Sequence, residues 1–529
     1  MRKLILPLAG ALASLSLAGA ATATATAKTY TTKGAWSFFS APGVNPPKLR
    51  THGKVVSSKL APAQFLLANT KDLALSGPMV GQGGPLIVNS HLQPVWFKPV
   101  VLQISKKGQS EVGANSTFNL HEQAYNGQPV LSWWQGTLTN TGDTLSGEDI
   151  VVGQHYQTVA TLSAPKTPAC SGCSPWVITA HEFVIVGQDA WVTAYANVPM
   201  DLSKYGGPKN GTVIDTAVQE YDLTKPAGSP PLFGWDALQH IPLSQSHSKP
   251  FSNGVWDAYH ENSIQLGTGT FLVSMRNEWA AYEVSMATGK ILWTVSGDPK
   301  LSTFKLPSNA RFQWQHDVEL HPGDVLSLFD DHCCNAIAPG KLASPSGPSR
   351  GLVLKLNLSK HTATRTGVYT HGSSYFVPFL GNTQLLRDGN VLVGWGVGPN
   401  FSEYAKSGSL LFDGVIPNPD QSYRAYAQSW VGLPLTKPSA VVRISHGSSK
   451  VYTSWNGATR DVAWRVLAGS SKTSLKTLVK KATRTGFETA IPVSGSHKVY
   501  EVEALSSHGT VLGTSNPFGS SSPALVGGY

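Results

Sequence analysis

Three histidines each open a similar stretch of chain: His181 in AHEFVIVGQDAWVTAY, His260 in YHENSIQLGTGTFLVSMR and His316 in QHDVELHPGDVLSLFDD. Each stands beside an acid and is followed by a short run, a Gly-containing turn and a second apolar run. A fourth segment, GNTQLLRDGNVLVGWG, has the same form with Gln384 and no histidine. The steps from His181 to His260, His316 and Asn382 are 79, 56 and 66 residues, which suits one four-stranded propeller blade plus loops per unit. A closed ring of blades points equivalent positions at one axis. The repeat therefore predicts a histidine cluster built from residues far apart in sequence.

The rest of the chain fits an all-β reading. No long amphipathic helical pattern stands out, apolar alternation of period two recurs from about residue 85 to residue 400, and 52 Gly and 35 Pro supply turns. Residues 1–27, MRKLILPLAGALASLSLAGAATATATA, read as a secretory signal peptide removed near Lys28, which predicts a secreted or cell-envelope protein. No later segment approaches the roughly 18 uninterrupted apolar residues of a spanning helix, so no membrane span is expected. Residues 28–75 read as an extended N-terminal segment and 76–434 as the β-propeller. AVVRIS, KVYTSW, VAWRVLAG, FETAIPV and KVYEVEALS within 435–513 predict an immunoglobulin- or fibronectin-like β-sandwich, and 514–529 a flexible Ser/Gly-rich tail with little to bury. The formal charge of +10 is concentrated at the C-terminal end, where residues 435–529 hold 11 Lys and Arg against four Asp and Glu. That module is the candidate for contact with anionic polymers of the cell envelope. No aromatic-basic pattern argues for nucleic acid.

Four cysteines form two close pairs, Cys170 with Cys173 and Cys333 with Cys334. In an exported protein local disulfides are expected, although four cysteines allow three connectivities. Trp133, Trp134, Trp395 and Trp430 are assigned to packing between blades. His121, His155, His240, His247, His321, His361 and His371 are placed outside the repeated slot or in loops.

In a regular strand His260 and Asn262 face one side, because side chains alternate. Arg276, at the end of the next strand, can return to the same level with a planar fork that suits a tetrahedral oxyanion. The same parity puts Asp317 on the face opposite His316, so another group, with Asp330, Asp331 and His332 as candidates, can fix the imidazole tautomer. Three histidines also suit a metal, but a fixed cation would repel Arg276. No metal and no cofactor are expected.

These motifs, HEF, HEN with a later Arg, QHD followed by LFDD, GNTQLLRDGNVLVGWG and SYRAYAQSWVGLP, resemble those of the bacterial and fungal arylsulfotransferases over roughly residues 80–434. The resemblance implies an exported, nucleotide-independent enzyme on a six-bladed propeller, moving a sulfuryl group from an aryl sulfate to a phenol through a sulfated histidine. By motif it makes His316 the nucleophile, His260 and Asn262 the active-site pair, Arg276 the sulfate-binding arginine and His181 a further active-site histidine. Asp317 and Asp330 are expected to support them. The family usually has Asn where this chain has Asp331. A non-catalytic binding or adhesion propeller and a quinone-dependent dehydrogenase are the competing readings; the latter requires a calcium site and cofactor-stacking tryptophans.

Overall fold

The computed structural model describes residues 30–107, 110–139, 144–332, 347–445 and 448–526. The leader and the Cys333–Cys334 pair lie outside them. The described chain is all-β, and its only helical elements are 3-10 turns of three residues. No described helix is long and apolar enough to cross a membrane.

Six antiparallel-paired sheets follow one another along the chain. Sheet one sets Gln64–Lys71 beside Gly84–Val88 and Pro94–Phe97; sheet two runs through Ser110–Tyr125, Gln128–Thr139 and Thr144–Gly153. Sheet three starts at Val177–Val186, sheet four at Glu261–Leu266, sheet five at His316–His321 and sheet six at Asn382–Leu385. These leading strands touch in cyclic order, and the circuit closes where Ala425–Gln428 pairs with Gln64–Lys71. The ring thus starts earlier than residue 76. The segment expected to be extended over 28–75 contains a full, almost wholly buried strand, QFLLANTK, which lies between Gly84–Val88 and the distant Ala425–Gln428.

Alternation along each strand divides its side chains between two neighbours. In Thr270–Met275, Phe271, Val273 and Met275 enter a core shared with sheet three, while Leu272 enters one shared with sheet five. In sheet one Phe65 and Leu67 pack towards sheet six, and Leu66 and Ala68 towards sheet two. The adjacent Trp133 and Trp134 likewise face opposite ways, each into a different core, and Trp395 and Trp430 are also packing residues. Burial on both faces explains near-continuous apolar runs such as TFLV.

Beyond the ring, a three-stranded sheet (Ser439–Ser445, Ser448–Ser454, Glu488–Val493) and a four-stranded sheet share one core containing Val442, Val451, Ile491, Trp464 and Tyr500. Asn456 docks this unit on sheet one through two backbone hydrogen bonds, from Phe97 N at 3.0 Å and to Phe97 O at 2.8 Å. The expected flexible tail is instead packed as far as it is described: Phe518 is buried and exchanges two backbone hydrogen bonds with Tyr500, and Ala524 pairs with Ala440. Phe518 and Ala524 both enter the core of this unit, so two apolar side chains in a Ser/Gly-rich stretch hold it. Cys170 and Cys173 form a disulfide.

Candidate active site

The leading strands are broken where they meet the axis. Register shifts fall between Ile178 and Phe183, Glu261 and Ser263, and His316 and Glu319. His260 and Asp317 adopt left-handed φ of 56° and 54°. Such bulges re-aim side chains beside functional sites, and left-handed non-glycine residues each cost about 1–3 kcal/mol.

The three repeated histidines converge. The ring of His260 lies 5.0 Å from that of His181 and 6.5 Å from that of His316, both edge-on. Tyr423 stands 5.8 Å from His181 and 6.3 Å from His316, and Tyr195 approaches His181 and His260 at 5.8 and 6.1 Å.

His316 is almost fully buried. Its Nδ1 meets Asp331 Oδ2 at 2.7 Å, and the backbone N–H of Leu380 points at its Nε2 from 3.4 Å. A donor facing Nε2 assigns the ring proton to Nδ1, donated to Asp331, and leaves Nε2 unprotonated, its lone pair engaged by the long Leu380 contact. Burial first, then the charges of Arg276, His260, His181 and Arg424, hold the His316 pKa well below 6.5. The imidazole is therefore neutral at pH 7. Burial pushes the Asp331 carboxyl up, and the Arg276 charge opposes it.

His181 Nδ1 bonds Thr179 Oγ1 at 3.0 Å, and burial, then His260, Arg424 and Arg276, lower its pKa well below 6.5. His260 Nδ1 bonds Asp257 Oδ2 at 2.5 Å, and both side chains are partly exposed. Arg276 lies 5.0 Å over the Trp314 ring and 5.2 Å over Phe379. It donates through Nη1 to Asn277 Oδ1 and through Nη2 to the Pro378 carbonyl, each at 3.0 Å, while its buried Nε has no partner. Among the described residues no carboxylate stands within ion-pair distance of it.

Other predicted residues are placed differently. Asn262 does not share an open face with His260, because the left-handed turn at His260 interrupts alternation. Its Nδ2 grips the Gln315 carbonyl at 2.7 Å, holding the backbone that carries His316, and its Oδ1 is buried without a partner. Asp317 turns away from His316, to Arg424 Nη1 at 3.2 Å and the Thr383 N–H at 3.1 Å. Asp330 accepts from the Gln313 N–H and Arg350 Nε, both at 2.9 Å. The carboxylate on His316 is thus Asp331.

Arg424, Tyr423, Tyr195 and Asp257 complete the centre and were not singled out in the sequence. The first two sit in the SYRAYAQSW motif, which was the available signal. Arg424 is buried, bonds Glu182 at 2.9 and 3.2 Å, and donates to Tyr426 Oη and the Asn262 carbonyl at 3.0 Å each. His121 also belongs here and not in a solvent-facing loop. Its ring packs 5.2 Å from Tyr426, and burial chiefly lowers its pKa to about 4. It precedes Gly127 by six residues, as His181 precedes Gly187, a correspondence that could have identified it.

The sequence profile of the arylsulfotransferase (ASST) family matches residues 121–416, more than half of the chain. The chain belongs to the arylsulfotransferase family. That membership implies aryl sulfate transfer, with an aryl sulfate and a phenol as substrates. No protein of curated description matches the chain. Among solved structures, a protein of unknown function from Bacteroides caccae is 12% identical over 69% of this chain and 99% of that one, with a TM-score of 0.35. Sqt1 of Saccharomyces cerevisiae is 8% identical over 77% and 96%, with a TM-score of 0.29. At these scores neither likeness carries an argument.

The cluster thus brings together an unprotonated ring nitrogen and an arginine without a carboxylate in ion-pair contact, on which the Asp331 and Asp257 charges act from further off. A tetrahedral anion suits both.

Proposed function

We propose that the protein transfers a sulfuryl group from an aryl sulfate ester to a phenolic acceptor by a ping-pong route, with His316 as nucleophile and no nucleotide sulfate donor. The observation that carries this reading is the His316–Asp331 contact, which leaves Nε2 unprotonated on a ring that feels the Arg276 charge before any other. In the same reading the six cyclically packed sheets are blades of a propeller, and the two-sheet unit is an immunoglobulin-like domain. Export follows from the leader-like start, and the basic C-terminal unit is the surface available to the cell envelope.

In the first half-reaction the Nε2 lone pair attacks sulfur as the aryl oxygen departs, so one N–S bond forms and one S–O bond breaks. The ring then carries positive charge, which Asp331 balances through Nδ1–H. Arg276 compensates the charge on the sulfuryl oxygens, and His181 borders them. His260, partly exposed and held by Asp257, delivers a proton to the departing phenolate. An incoming phenol returns that proton to His260 and takes the sulfuryl group from His316.

Incubation with a chromogenic aryl sulfate and a second phenol tests the reading. Donor cleavage accelerated by the acceptor, with parallel-line initial-rate plots, is expected from the wild type, and loss of transfer in His316→Ala. A protein that releases no product would be a binding module.

A further inference from the structure

A second histidine group lies away from the axis, at the outer edge of sheet six. There Arg50–Thr51, from the N-terminal segment, pairs with Gly414 and Val415. His52 continues that pairing, its N–H donating to the Asp413 carbonyl at 2.8 Å. Its Nδ1 lies 3.1 Å from Asp413 Oδ2, and Nε2 of His371 lies 2.8 Å from the same oxygen. The three donor atoms are all within 4.8 Å of one another.

Asp413 is oriented from behind. Asn400 Nδ2 donates to both its oxygens, at 3.1 and 2.9 Å, and Ser402 Oγ donates to Oδ1 at 2.7 Å. Those donors are fixed in turn: Tyr375 Oη donates to Asn400 Oδ1 at 2.7 Å, and Trp395 Nε1 to Ser402 Oγ at 2.9 Å. His371 packs 4.3 Å from the Tyr375 ring and 5.5 Å from Trp395. Burial would raise the Asp413 pKa, yet His371, Ser402 and Asn400 hold it below the ordinary carboxylate value.

Two imidazoles and an ionised carboxylate, with supporting hydrogen bonds behind the ligands, form a donor set suited to a divalent transition metal. Tetrahedral zinc separates its ligand atoms by about 3.3 Å, given bonds of about 2.0–2.1 Å. The observed 2.8 and 3.1 Å fall a few tenths of an ångström short of that, and the two imidazole nitrogens lie within 4.8 Å of each other. His52, with 72% of its side chain exposed, can make that adjustment and leaves a face for water.

We propose that His52, His371 and Asp413 bind one zinc-class divalent ion, which fastens the N-terminal segment to sheet six.

Tag-free mature protein, stripped with a chelator, is titrated with Zn2+ against a chromophoric competitor while thermal unfolding is followed in parallel. One Zn2+ per chain and a higher unfolding midpoint with Zn2+ are expected. Both should be lost or weakened about 10–100-fold in His52→Ala and His371→Ala, and both retained in His316→Ala. Absence of binding in the wild type, binding that survives His52→Ala, or binding lost in His316→Ala would each overturn the proposal. Because His52 is exposed, its substitution leaves folding intact and the test remains decisive.

Discussion

Arg276 and Arg424 are both buried near the axis, yet their partners differ. Arg424 is paired with acids: Glu182 and Asp317 stand at 2.9 and 3.2 Å, and Tyr426 and a backbone carbonyl accept further bonds, although its Nε, like that of Arg276, has no partner. Arg276 meets only neutral oxygens and two aromatic faces. The nearest acid in sequence, Glu278, does not neutralise it, because burial raises that carboxyl to about 8 and leaves it protonated at pH 7. In the proposed reading one guanidinium ties strands together and the other receives the sulfuryl group. Burial alone does not separate a structural charge from a functional one, but the identity of its partners does.

The comparison breaks most sharply under paired substitution. Arg424→Met strands two buried carboxylates and should cost about 3–5 kcal/mol of stability, read as a large fall in the denaturant midpoint. Arg276→Met should leave that midpoint nearly unchanged while lowering kcat/KM about 10²–10³-fold. Equal stability losses in the two variants would erase the distinction.

Much of this was legible in the chain. The repeated His181, His260 and His316 slots named the cluster because a ring maps equal positions onto one axis, and Arg276 followed from hairpin return. Asn262 was misplaced because the left-handed turn at His260 occurs without glycine, so alternation gave no warning. The sequence left Asp330, Asp331 and His332 as candidates beside His316, and hairpin register decides among them: His316 pairs with Phe329, which puts residue 331 diagonally across the same face. Gln64–Lys71 has one partner nearby, Gly84–Val88, but the pairing that closes the ring, with Ala425–Gln428, spans about 360 residues, and no local pattern carries it.

Asp331→Asn sharpens the comparison from the His316 side. The amide oxygen still accepts Nδ1–H, so the tautomer survives, but the balancing negative charge is lost, and transfer should fall roughly 10-fold. Removing that charge also lowers the His316 pKa further. In the wild type activity should hold through pH 6.5 and decline only below it, since the folded pKa lies well under that value. In the variant the acid limb of kcat/KM should lie lower still.

The smallest effect concerns Glu278. Its folded pKa, about 8, exceeds the ordinary 4.5, so the stability it contributes is full below the unfolded pKa and is lost as pH rises through about 8. Glu278→Gln, neutral at every pH, should flatten the fall in unfolding midpoint between roughly pH 5 and pH 9. An unchanged slope would mean that Glu278 is ionised in the folded protein, with Tyr282 donating to it.

Mass spectrometry of the enzyme mixed with an aryl sulfate and no acceptor tests the central claim most directly. The account predicts one acid-labile sulfuryl group on the peptide containing His316, discharged when a phenol is added. A sulfuryl group on another residue, or turnover without any labelled enzyme, would contradict it.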